Sequence, residues 1–175
     1  MRSMGRALLL LLVVAFVAGV WDTRYGDEAR PGRSPAPFGT EPVERDRPAR
    51  PAPELRSVQA DERDGHDRVV FTFEGAMPGY RVRYVPQVTG ADGRRVPLRG
   101  TAFLEVAFEP AQARGPDGTP TFPAAAITPS SPELRQVRFA GDFEGQVSFG
   151  LGVAGRGGFR VSELRNPTRV AVDVR

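Results

Sequence analysis

Residues Arg68 to Glu74 read RVVFTFE, and residues Thr168 to Val174 read TRVAVDV. In the first, Val69, Phe71 and Phe73 fall on one side of an extended chain, with Val70 and Thr72 on the other. In the second, Val170, Val172 and Val174 oppose Arg169, Ala171 and Asp173. A period of two, with β-branched and aromatic residues on one side, marks a strand with one buried face. The same alternation recurs at Tyr80 to Val85, Ala102 to Glu109, Gln146 to Val153 and Phe159 to Leu164. Weaker strands are predicted at Leu55 to Glu62 and Leu134 to Phe139. No stretch of ten or more residues carries a helical stripe free of Pro and Gly. Many short strands between turns predict an all-β fold, an antiparallel β-sandwich.

The turns are equally legible. Gly75 to Gly79, Ala91-Asp92-Gly93, Gly141 to Gly145 and Gly155 to Gly158 separate the runs, with Asp-Gly a hairpin signal. Residues Pro110 to Pro132 are long for a connection and are expected to be either a functional loop or a mobile one.

Outward from this domain, at residues 55–175, lie two extensions. Residues 1–21 carry Arg2 and Arg6 and then the apolar run ALLLLLVVAFVAGV, Ala7 to Val20. As a helix that run spans about 21 Å, at about 1.5 Å per residue, short of a bilayer core of about 30 Å. Charge, short apolar run and small residues are the secretory signal pattern, with cleavage expected after Gly19. The alternative is an uncleaved signal anchor with Trp21 and Tyr25 at the interface. Either way the domain is expected outside the cytoplasmic membrane, secreted or tethered to its outer face. Contact with membrane is expected only through this segment. Residues 22–54 hold seven prolines, seven acidic residues and six arginines. They read as a disordered Pro-rich linker.

The chain has 175 residues and a formal charge of +3, with 24 basic residues, all of them Arg, against 21 acidic ones. With a single His and no Lys, little titrates between carboxylates and guanidiniums, so the high isoelectric point reflects sparse titration. The domain alone carries 16 Arg and 14 acidic residues, a charge of +2 with no basic stripe. Nucleic acid is therefore not an expected partner. The chain has no Cys, which excludes disulfides, thiolate metal sites, a cysteine nucleophile and lipidation at cysteine. With His66 alone and no Cys, no conventional zinc site is expected. There is no G-x-S-x-G elbow, phosphate loop or dinucleotide fingerprint, so no cofactor and no enzyme is expected. His66 reads as an exposed turn residue, and Asp142 with Glu144 as a solvated loop.

Binding residues are sought on strand faces instead. Arg81 and Arg83 share one face of a strand, with Tyr80 and Tyr84 on the other. Side chains two apart project together about 6.5 to 7 Å apart, a spacing that suits carboxylates or phosphates. Arg135 and Arg138 extend the patch if their strand lies nearby. The nearly bare face of Ser148, Gly150 and Gly152 admits either a flat ligand or a second layer of the protein itself.

Two segments resemble a known family. His66-Asp67-Arg68-Val69-Val70-Phe71-Thr72-Phe73 looks like the early strand of AMIN domains. Leu164-Arg165-Asn166-Pro167-Thr168-Arg169-Val170-Ala171-Val172-Asp173-Val174 resembles their closing strand. The middle, with Gly79 to Tyr84 and the long insertion, is more similar to the AMIN-like domains of secreted actinobacterial proteins. The resemblance implies a non-catalytic envelope module that binds peptidoglycan or another wall polymer. The alternatives are an adaptor docking an extracytoplasmic protein and, third, a hydrolase. The matched Asp67, Arg68, Asn166, Pro167, Arg169 and Asp173 are expected to be structural, forming turns and cross-strand pairs.

Overall fold

The computed structural model describes residues 36–123 and 125–175. The apolar segment at 1–21 and the first part of the linker, 22–35, lie outside the described residues. Nine strands follow in order: β1 (Val43–Arg45), β2 (Glu54–Arg63), β3 (His66–Glu74), β4 (Gly79–Val85), β5 (Ala102–Glu109), β6 (Leu134–Phe143), β7 (Gln146–Val153), β8 (Phe159–Leu164) and β9 (Thr168–Val174). No helix long and apolar enough to cross a membrane occurs among the described residues.

The strands form two sheets in which all paired neighbours are antiparallel, as the alternation predicts. Sheet A runs β2-β3-β9-β8 and sheet B runs β1-β4-β5-β7-β6. The chain changes sheet between β1 and β2, at the glycine-rich turn after β3, and again after β7. The sheets pack through the faces that the sequence marks as apolar. Phe71 of sheet A meets Phe108 and Phe149 of sheet B at ring-centroid distances of 4.9 and 5.0 Å, and Phe73 meets Phe108 at 4.9 Å. Val69, Val170 and Val172 are fully buried beside them. Each such side chain contributes about 1.5–3 kcal/mol on burial, and the tilted rings add about 0.5–1.5 kcal/mol per pair.

The β6–β7 hairpin is tighter than the sequence predicts. Gly141, Asp142 and Phe143 belong to β6, and the turn narrows to Glu144 and Gly145, with φ of 51° and 80°. Two successive positive φ values give the turn whose twist matches the flanking strands.

The linker boundary at residue 54 needs correction. Residues 36–54 are part of the sandwich. Gly39 and Phe159 of β8 exchange backbone hydrogen bonds of 3.0 and 2.8 Å, which extends sheet A by one short rung. Four residues later Val43 to Arg45 pair with β4 and extend sheet B. The segment thus closes the β8–β4 side of the sandwich from one sheet to the other. Phe38, Val43 and Ala49 anchor it, with Ala49 buried and Val43 packed against the core. Three apolar residues spaced without a period leave no local signal, because each packs against residues distant in sequence.

The long connection 110–132 packs onto the sandwich. It closes the opposite, β2–β6 side. Ala111, Ala113 and Phe122 are buried, and the Phe122 ring lies 5.3 Å from Phe139 and 5.7 Å from Phe149. Thr121 donates its hydroxyl to the Leu55 carbonyl at 2.6 Å, and Ile127 exchanges two backbone bonds with Val137 of β6.

Residues 86–101 lie over the outer face of sheet B. Val88 is buried against Gly150, where an added Cβ would meet Val88 and Leu98 side chains at 3.0 and 2.6 Å. At Gly152 an added Cβ would overlap the Arg99 carbonyl. The bare Ser148-Gly150-Gly152 face therefore receives the protein's own second layer, not a ligand.

Candidate functional site

Sheet A carries a row of charges on its outer face. Arg68 of β3, Asp173 of β9 and Arg160 of β8 stand in register across three strands. Arg68 donates from Nε and a terminal nitrogen to the two Asp173 oxygens at 2.6 and 3.0 Å, the fork geometry that suits a carboxylate. Arg160 Nε donates to Asp173 Oδ2 at 2.7 Å. Asp173 has no exposed surface, and the burial pushes its carboxyl up, but hydrogen bonds from Arg68 and Arg160 outweigh this and hold it below the usual range.

His66 joins this row rather than standing in an exposed turn. It opens β3, its Nε2 is 3.6 Å from Asp173 Oδ2, and its side chain is 15% exposed. Phe38 covers the end of the row. Its ring meets His66 edge-on at 5.8 Å and lies 4.4 Å from the Arg160 guanidinium carbon and 4.2 Å from that of Arg175. Such cation–π contacts are worth about 0.5–2 kcal/mol.

The other matched residues also hold the fold. Asp67 accepts the backbone N–H groups of Glu133 and Leu134 at 2.8 and 2.7 Å, clamping the start of β6 to sheet A. Asn166 takes φ of 57° in the turn between β8 and β9, followed by Pro167 ahead of the last strand. The short polar side chain of Asn tolerates that backbone better than most. Arg169 shares the face of Asp173 on β9; it is 7% exposed, and its Nε has no hydrogen-bond partner.

On sheet B, Arg81 and Arg83 do project from one face of β4. Each meets a carboxylate on the neighbouring strand: Arg81 lies 3.6 Å from Glu44 of β1, and Arg83 lies 2.8 Å from Glu105 of β5. Both pairs are directly opposed in the ladder, where such partners meet most readily. The patch is thus nearly neutral. Tyr80 and Tyr84 point the other way and tie the sheets together. Tyr80 donates its hydroxyl to Glu163 of β8 at 3.1 Å, and Arg47 donates to the same oxygen at 2.7 Å. Burial, then the Glu163 charge, pushes the Tyr80 phenol up to about 12. Tyr84 donates to the Gly157 carbonyl at 2.7 Å, and burial raises its pKa too. Arg135 and Arg138 do not extend the patch, because β5 and β7 separate β6 from β4.

Sequence reasoning missed three contributors. Glu163 receives both Arg47 and Tyr80, and Phe38 shields the Asp173 row, yet neither has a local pattern that marks it. Arg99 lies with Arg135 on an open groove, and no local pattern marks it. Among the described residues no group of three or more His, Asp or Glu side chains could hold a metal ion.

Comparison with protein families matches residues 53–175 to the AMIN-like domain. No curated protein and no solved structure matches the chain.

Proposed function

We propose, from the premise that the chain belongs to the AMIN-like domain family, that it is a non-catalytic module of the cell envelope. It works outside the cytoplasmic membrane and binds peptidoglycan or another wall polymer. The observation that carries this reading is the use made of the buried polar groups. Asp67, Arg68, Arg160 and Asp173 are spent on joining strands, and Tyr80 with Glu163 on joining sheets. What the fold turns to solvent includes a sheet face bearing guanidiniums, among them Arg81 and Arg83, whose side chains are 37% and 45% exposed. Their ion pairs are exposed enough to be exchanged for carboxylates or phosphates of a polymer at little cost.

The test is retention of the full chain on purified cell-wall sacculi. Retention is expected, and it should weaken as salt is raised. Arg81→Ala combined with Arg83→Ala should reduce it; unchanged retention would remove these two residues from the contact. No retention would sink the wall-binding reading, and retention only with a second envelope protein would favour an adaptor. New cleavage products after incubation with wall fragments would overturn the non-catalytic reading.

A further inference from the structure

An open groove of about 430 Å³ lies at the end of sheet B where β7 leaves the sheet. One wall is the turn Arg99-Gly100-Thr101, the other is Thr128-Pro129, and Arg135 and Ala154 complete it. The walls are fixed by the chain's own hydrogen bonds. Thr101 N–H donates to the Val153 carbonyl at 2.9 Å, and its hydroxyl donates to the Ala154 carbonyl. The Arg99 N–H donates to Gln136 Oε1 at 3.2 Å, and Gln136 also donates to the Thr128 hydroxyl at 3.3 Å. Gly100 has φ of +127°, and a Cβ there would meet the Val153 carbonyl oxygen at 2.6 Å, so the turn needs glycine. A groove already held in shape loses little freedom when it is filled.

Among the described residues its two arginines lack the acidic partner that several others have. Arg47, Arg56, Arg68, Arg81, Arg83 and Arg160 each face a carboxylate. Arg99 and Arg135 face none among the described residues, and no acidic side chain lines the groove. Arg135 holds only a long 3.4 Å bond to the Ser131 carbonyl. It sits where the β6–β7 register shifts between Leu134 and Gln136. A bulge of this kind turns a side chain out of the ladder and re-aims it. The Thr128 hydroxyl accepts from Gln136 and keeps its own proton to donate.

We propose that this groove binds a phosphate-bearing unit of sugar size. The two guanidiniums take the phosphate through charge-assisted hydrogen bonds. The bare backbone of Gly100, with Pro129 and Ala154, gives a ring a surface to lie on. The Thr128 hydroxyl offers a donor to a ring oxygen. The volume is larger than one oxyanion needs and within the range of small-ligand sites. The inference does not depend on retention by the cell wall, since the groove can be filled whether or not the chain holds to sacculi.

The test is titration of the full chain with glucose 6-phosphate, inorganic phosphate and glucose in separate arms. It is followed by NMR at the amides of Arg99, Gly100, Thr101 and Ala154 and by calorimetry. Glucose 6-phosphate is expected to shift those amides and to bind more tightly than either fragment alone. Arg99→Gln and Arg135→Gln, both at exposed positions, should each weaken binding about tenfold, equivalent to about 1.4 kcal/mol. Arg165→Gln, exposed in the β8–β9 turn, should leave it unchanged. Absence of binding, equal binding of inorganic phosphate, or binding that survives both groove substitutions would overturn the proposal.

Discussion

Asp173 is where a single residue matters most. It is fully buried on a face that a two-layer sandwich would ordinarily leave wet, and it receives two arginines. Removing one partner of a buried pair leaves the other charge uncompensated, at a cost of about 3–5 kcal/mol. Asp173→Ala should therefore destabilise the fold by about 3 kcal/mol in chemical denaturation, more than Glu105→Ala at the exposed Arg83 pair. The sign of the pH effect follows from the direction of its shift. Its pKa is lowered by folding from 3.8, so its stabilisation is complete above that value. It is lost as pH falls through the lower folded value. Unfolding free energy measured from pH 5 downward should fall for the parent chain and fall less steeply for Asp173→Asn. Tyr80 works in the opposite sense. Its pKa is raised from 10.0 to about 12, so its share of stability is present below pH 10 and lost between pH 10 and 12. Tyr80→Phe should lessen the loss across that window; an unchanged alkaline slope would show that the phenol does not titrate as its Glu163 contact requires.

The two closing segments carry the predictions at the scale of elements. Phe122 is the plug of the 110–132 connection, its ring edge-on to Phe139 and tilted against Phe149. Phe122→Ala should cost about 3 kcal/mol and expose the connection to limited proteolysis. Intact resistance at full destabilisation would mean that Thr121 and Ile127 hold the segment alone. Strand placement was legible because most strands carry their own period of two, and eight of the nine were placed from the sequence. β1 was not legible: three residues, Val43 to Arg45, hold too short a pattern to show any period. The layer over Gly150 and Gly152 was legible only as a choice between a ligand and the protein's own chain. Contacts from Val88 and Leu98 decide for the chain. Gly152→Ala should lose about 2 kcal/mol by forcing the Arg99 backbone away.

For the whole molecule, the matched family region begins at residue 53, while the ordered chain begins before it. Residues 36–52 add Phe38, β1 and Ala49 to the β8–β4 side. A chain starting at residue 53 should melt several degrees below one starting at residue 36, a difference of about 2 kcal/mol or more. Equal melting temperatures would show that the segment lies on the sandwich without supporting it.

The sequence by itself determined the all-β class, the strands with a buried face, the turns between them and the family. All of these depend on neighbours in the chain: alternation sets a face, and glycine sets a turn. Tertiary structure decided which charges are free. β1 brings Glu44 to Arg81, while Arg99 meets no carboxylate among the described residues. It also decided that residues 36–54 belong to the sandwich, because they pair with β8 and β4. Pairing between residues far apart in the chain depends on sheet order, and alternation along one strand carries no record of its neighbour.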